Sequence, residues 1–238
     1  MAGDRKEQPV AKTARSPLSR DRVLETAMTI ADAEGLAAVS MRRIAGDLGV
    51  EAMSLYHHLP SKDALLDGLV ERLAAAIMNE SSSIELAEGG DWRDEVRARS
   101  LAARRVMIRH PWGPALITSR AAIPVEVQAV FEAVLAAMIR GGLSYRVAHR
   151  GMHALSSMVL GFVQEPFSAP SAGTAEQPVL DEAMIAAMAD VFPHTAAMVA
   201  EELHSESDAS LGWCDTQTEF EFTLGLLLDG LDRAATEG

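Results

Sequence analysis

A single glycine, Gly49, separates two short helical patterns, and this arrangement restricts the fold more than any other feature of the 238 residues. Upstream, Ser40 stands at a helix start. Its side-chain oxygen can accept from orphan N–H groups of the first turn, and Met41, Ile44, Ala45 and Leu48 follow at three- and four-residue spacing. Gly49 comes directly after Leu48, where a short interhelical turn needs a residue free to take positive φ. Downstream, Glu51 to His58 predicts a second short helix with Met53 or Leu55 facing inward, and Pro60 stops it. Ser61 caps the next helix, which Lys62 and Asp63 open. A short helix, a glycine turn and a short exposed helix carrying Ser, Tyr and His is the architecture that lays one helix into a DNA major groove.

The rest of the chain repeats the helical period between breakers. Residues 1–18 are polar, contain Pro and show no periodicity, which predicts a disordered basic arm. A first helix from Ser19 to Glu34 carries Val23, Ala27, Ile30 and Ala31 on one stripe and ends at Gly35. The helix from Ser61 runs past Met78, and residues 81–91 read as a loop. Further helices are expected over 92–109, from the His110–Pro114 turn to about Arg120, over 124–140 and over 144–165. A Ser/Ala/Gly/Pro loop then precedes a helix over 180–204, interrupted at Pro193, and a last one over 215–235. No alternating strand pattern and no fixed repeat occurs, so the fold class is all-α: a head over 19–66 and a helical body over 67–238.

Charge divides the same way. Residues 1–72 hold ten Lys/Arg against eleven Asp/Glu, while 73–238 hold eleven against twenty-three, and Arg5 to Arg22 has six basic residues against two acidic. An acidic body repels DNA and leaves one face to dock; equally, acidity keeps a cytosolic protein in solution. One cysteine, Cys214, cannot build a disulfide framework, the start lacks the apolar run of a signal peptide, and no apolar stretch is long enough to span a membrane. These features predict a cytoplasmic protein without a membrane partner.

The head resembles the DNA-binding half of the tetracycline-repressor (TetR) family of transcriptional regulators. Ala31, Gly35, Ser40, Arg42, Ile44, Ala45, Leu48, Gly49 and Val50 carry the resemblance, with the run 54–58 and Lys62, Leu65 and Leu66. In that family the residue two past the cap of the first motif helix reaches a base edge. Here it is Arg42, whose planar fork can bond guanine O6 and N7 together, unless it is simply a solvated neighbour of Arg43. Ala52 and Met53 fall where the family places base contacts but carry no donor–acceptor code, which shifts specificity toward Arg42, backbone and DNA shape. Ser40, Ser54, Tyr56 and Lys62 fall on phosphate-contact positions, each with an O–H or N–H to donate. His57 and His58 belong to the same reading surface. Adjacent on a helix and about 100° apart, they do not chelate together.

The body, through HPWGPALI, Gly142 to Ser144 and VLGFVQE, resembles the ligand-binding and dimerisation half of the same family. The resemblance implies a homodimer held by a four-helix bundle from the fourth and last body helices. In the last helix Phe220, Leu224, Leu227 and Leu231 make one apolar side, and Phe222, Gly225, Leu226 and Leu228 a second. Ligand-lining positions fall on Arg99, Thr118, Phe131, Met152, Ser156 and Glu165. The metal-ligating His of drug-bound members falls on Ile117 or Thr118, so magnesium chemistry is not implied, and neither metal nor cofactor is expected. No nucleophile elbow, phosphate loop or His–carboxylate pairing points to an enzyme. The expected function is a repressor that a small-molecule effector releases from a palindromic double-stranded operator. The alternative is a dimer of the same fold that binds a small molecule or partner without DNA release.

Overall fold

The computed structural model describes residues 17–82, 90–163, 182–205 and 216–236. Among them every regular element is helical, in agreement with the all-α reading, and no helix is long and apolar enough to cross a membrane. The chain divides into two compact units, one ending at Leu69 and one beginning at Val70. The N-terminal arm, Cys214 and Glu165 lie outside the described residues.

In the first unit, α1 (Arg20–Glu34) starts where the Ser19 hydroxyl accepts from Arg22 N–H, and it closes on Gly35. A 3-10 turn over Leu36–Ala38 leads to α2 (Met41–Leu48), capped by Ser40. Gly49 follows in the left-handed region, φ 66°, and donates back into α2, so the turn that the sequence demanded is built on a residue without a Cβ. The next helix, α3 (Ala52–Tyr56), is shorter than expected. Both His58 and Leu59 N–H turn back onto the Leu55 carbonyl, and Pro60 disfavours helical backbone at Leu59, so the two histidines form the closing turn. Of the two inward candidates, Leu55 is fully buried and Met53 is 72% exposed. Leu24, Ile44, Leu55, Leu65 and Leu69 share a core with no measurable exposure; burial of each contributes about 1.5–3 kcal/mol.

The long helix α4 (Lys62–Ser82) begins in the first unit and ends in the second. It includes Ser81 and Ser82, which the sequence placed in a loop; there the Ser81 hydroxyl donates to Ile77 O at 2.7 Å. The second unit adds α5 (Trp92–Arg109), α6 (Gly113–Ser119), α7 (Val125–Arg140) and α8 (Tyr145–Gly161). It is completed by α9 (Glu182–Ala189), α10 (Pro193–Ser205) and α11 (Thr216–Thr236). The break at Pro193 is real: proline takes the first position of α10, where its missing N–H has no helical partner to lose. α5, α7 and α11 all pack on α8. Gly151 lets this happen, since a Cβ there would stand 2.9 Å from the methyls of Leu231 and 3.2 Å from Met138 Sδ. Glu80 near the end of α4 is tied to α5 by Arg105, at 3.0 Å, and by Arg109. Burial pushes the Glu80 carboxyl up, but the hydrogen bonds from the two arginines outweigh it and hold the group below its ordinary range.

α11 corrects one sequence expectation. Leu228 belongs to the inner side with Phe220 and Leu224, all three buried, because steps of four keep these residues on one face. Phe222 and Leu226 are 64% and 56% exposed. Contiguous leucines at 226–228 leave this allocation open in the sequence, and only the neighbouring helices fix it.

Candidate nucleic-acid interface and ligand cavity

The candidate DNA-reading residues all lie in the first unit. Ser40 is exposed and accepts from Arg43 N–H at 3.2 Å, so one lone pair serves the cap while its O–H remains able to donate. The two adjacent arginines part company. Arg43 is held by Glu34 at 2.7 Å and by Asp47 at 3.2 Å, which raise its pKa further above the ordinary guanidinium value. Arg42 is exposed and makes no ion pair among the described residues, so its fork is open to an outside acceptor. On α3, Met53 and Tyr56 are exposed, while Ala52 and Ser54 are half-buried; His57 is exposed and His58 half-buried. Lys62 is exposed at the first position of α4, next to the Ser61 hydroxyl that accepts from Ala64 N–H at 3.0 Å. The Arg43 clamp escaped sequence reasoning because Glu34 belongs to another helix.

The second unit encloses about 870 Å³ of empty space, including the part that opens to solvent. Its walls come from α4, α5, α6, α7 and α8 and are almost wholly apolar. Arg99, Phe131, Met152 and Ser156, four positions singled out in the sequence, line it together. Thr118 does not. It is exposed, its hydroxyl donating at 2.9 Å to Pro114 O, and the preceding residue, Ile117, forms the wall. Met78, Val134 and Leu155 also line the cavity. Their periodicity marks them only as inward-facing, because a core residue and a cavity wall share one pattern.

Polar chemistry in the cavity is sparse and directional. The hydroxyls of Ser81, Ser100 and Ser156 donate to the carbonyls of Ile77, Val96 and His153, at 2.7, 2.8 and 3.2 Å. Each hydroxyl has thereby used its one O–H and keeps oxygen lone pairs, so the serines suit a ligand that donates. Arg99 supplies the opposite polarity. Its Nε and Nη2 bond Glu95 Oε1 at 3.0 and 2.7 Å, and Arg140 reaches Glu95 Oε2 at 2.7 Å. Burial pushes the Glu95 carboxyl up, but the arginine hydrogen bonds, Arg140 first and Arg99 next, prevail and keep it ionised below its ordinary range. Arg99 Nη1 takes no part in this pairing and can donate to a ligand.

Comparison with known proteins places both units. Residues 23–69 match the family described as "Bacterial regulatory proteins, tetR family", and residues 86–235 match "Tetracyclin repressor-like, C-terminal domain". The HTH-type transcriptional repressor DrrR1 of Streptomyces coeruleorubidus is 43% identical over 95 residues, which are 40% of this chain and 34% of that protein. An HTH-type transcriptional regulator of Saccharopolyspora erythraea is 29% identical over 157 residues, 66% of this chain and 64% of its own length. The chain thus spans about a third of the first relative and just under two thirds of the second. Among solved structures, apo ActR from Streptomyces coelicolor superposes with a TM-score of 0.71 at 28% identity, covering 94% of this chain and 99% of that one. ActR in complex with actinorhodin gives 0.70 at 28% identity, with 92% and 99% covered.

Proposed function

The chain belongs to the TetR family of bacterial regulatory proteins, and from that premise we propose that it is a cytoplasmic, homodimeric repressor which a small molecule bound in the second unit releases from its operator. The family is one of DNA-binding transcriptional regulators, not enzymes. One observation carries the finer reading: α4 is a single uninterrupted helix that starts at the candidate phosphate contact Lys62 and supplies Val70, Ala74, Ile77, Met78 and Ser81 to the cavity wall. A ligand that displaces this wall moves a helix whose other end belongs to the DNA-reading unit. Two heads of a dimer meet half-sites about 34–36 Å apart, so a change in their spacing costs both contacts at once. A coupling of about 1–3 kcal/mol per ligand is the ordinary scale.

Arg42 reads a base edge and Lys62, Tyr56, Ser54 and Ser40 hold phosphates, with His57 and His58 beside them and Ala52 and Met53 against the bases. In the dimer, α8 and α11 of two copies face each other across Phe222 and Leu226. The effector is a largely apolar molecule with a hydrogen-bond donor for the cavity serines and a carbonyl or anionic oxygen for Arg99. That ActR, which superposes on this chain, has been solved in complex with actinorhodin supports a small-molecule effector. The test is filter binding of genomic fragments at low and moderate salt, followed by titration of the selected fragment's complex with actinorhodin as probe. Preference for a two-part palindrome and about 5- to 150-fold weakening by the probe or a related molecule are expected. Binding to the selected fragment no tighter than to random DNA overturns the proposal.

A further inference from the structure

The helix behind the cavity carries a charge opposite to that of the body around it. α5 holds six arginines against two acidic residues, and these are six of the eleven basic residues in 73–238, where twenty-three are acidic. The imbalance is sharpest at Glu95. Arg99 takes its Oε1 and Arg140 its Oε2, so two guanidiniums face one carboxylate and the pairing leaves one positive charge over. The side chain of Arg140 is 62% exposed, and water screens it. That of Arg99 is 21% exposed, and among the described residues of the cavity wall Arg99 alone is charged.

We propose that the cavity selects an apolar organic acid, ionised at neutral pH, whose anionic oxygen pairs with Arg99 Nη1. This rests on the cavity being the effector site. Of the two acceptors that suit Arg99, a neutral carbonyl and an anion, the charge balance picks the second. Glu95 spends one charge on two cations. In a wall of Val, Ile, Met and Phe side chains the local dielectric is low, and an excess charge there draws a counter-charge more strongly than it would in water. A hydrogen bond to an ionised group is also about twice as strong as one between neutral groups. Arg140 does not line the cavity and touches no ligand. It is a positioning residue: by claiming Glu95 Oε2 it keeps the carboxylate from cancelling Arg99 in full. The serine hydroxyls give the acid its orientation. Ser81, Ser100 and Ser156 present lone pairs, which repel an anionic oxygen and leave it the Arg99 end.

Fluorescence titration of the full-length chain with two probes of one skeleton tests this. Anilinonaphthalene sulfonate is an anion; phenylnaphthylamine has the same rings and N–H without the sulfonate. The ratio of their affinities, compared between parent and variants, cancels what the shared rings contribute. Arg99→Met should shift the ratio toward the neutral probe about ten- to a hundredfold, the worth of a hydrogen bond to a charged group. Arg99→Lys should recover part of the loss. Arg140→Met should shift the ratio the same way by about two- to fivefold, less because an exposed charge is screened. Circular dichroism checks each fold, and Arg140→Met, which alters an exposed side chain, carries the test if Arg99→Met unfolds. Val134→Trp should remove the binding of both probes. A ratio unchanged in Arg99→Met, or in Arg140→Met where the first variant unfolds, overturns the acid and leaves the cavity as effector site. Probes that bind Val134→Trp as they bind the parent, or that do not bind the parent, overturn the cavity reading and the acid with it.

Discussion

Replacement of Phe222 and Leu226 by Glu separates dimer assembly from folding. Both side chains are more than half exposed in the isolated chain, at 64% and 56%. Full burial of such a side chain contributes about 1.5–3 kcal/mol, so about 1–2 kcal/mol per residue remains to be gained from a partner. Two residues on each of two chains give about 4–8 kcal/mol, or about three to six orders of magnitude in the dimer dissociation constant. Leu224 and Leu228 behave otherwise. At 0% and 1% exposure they belong to the protomer's own core. A carboxylate at either position loses the burial term and adds an unpaired buried charge, a penalty of several kcal/mol against a total stability of about 5–15. Sedimentation equilibrium over a dilution series, with circular dichroism on the same samples, reads both effects. Phe222→Glu/Leu226→Glu should give folded monomers that no longer bind a two-part operator. Leu224→Glu should unfold or lose most of its thermal stability. A double variant that dimerises with parental affinity refutes the interface, and a stable folded Leu224→Glu refutes the assignment of the core face.

Arg42→Ala should reduce operator affinity by about 1–3 kcal/mol and relax preference at one position per half-site, whereas Arg43→Ala, losing contacts to Glu34 and Asp47, should leave base preference intact; binding to randomised sites measures both. Lys62→Ala should weaken all sequences alike and lower the salt slope by about one per half-site, read from log affinity against log salt. Val134→Trp, directed into the cavity, should abolish probe binding while the fold and operator affinity persist, as shown by fluorescence titration and circular dichroism. Glu80 and Glu95 titrate below their ordinary value in the folded chain, so their stabilisation is complete above about pH 4.5 and fades as pH falls through the lower folded values. Denaturant midpoints between pH 5 and 3 should drop in the parent and drop less in Glu80→Gln.

Helix starts and stops were legible because they are local. Ser19, Ser40, Ser61 and Ser144 each accept from an N–H three residues on, a bond that needs nothing beyond its own turn. Gly49 was legible for the same reason: one residue's φ decides whether the turn closes. Hydrophobic spacing, together with the motif, gave the fold class. The allocation of faces was another matter. Arg42 and Arg43 are equivalent in sequence, and Glu34 on a neighbouring helix decides which one stays open. Ile117 and Thr118 differ by one residue, and the packing of α6 decides which one meets the cavity. Leu226 and Leu228 differ by two, and α8 decides which one is covered. Sequence fixes what each residue does to its own turn through sterics and short hydrogen bonds. Which side of a helix is core, wall or surface depends on what packs against it, and that is settled only when distant segments meet.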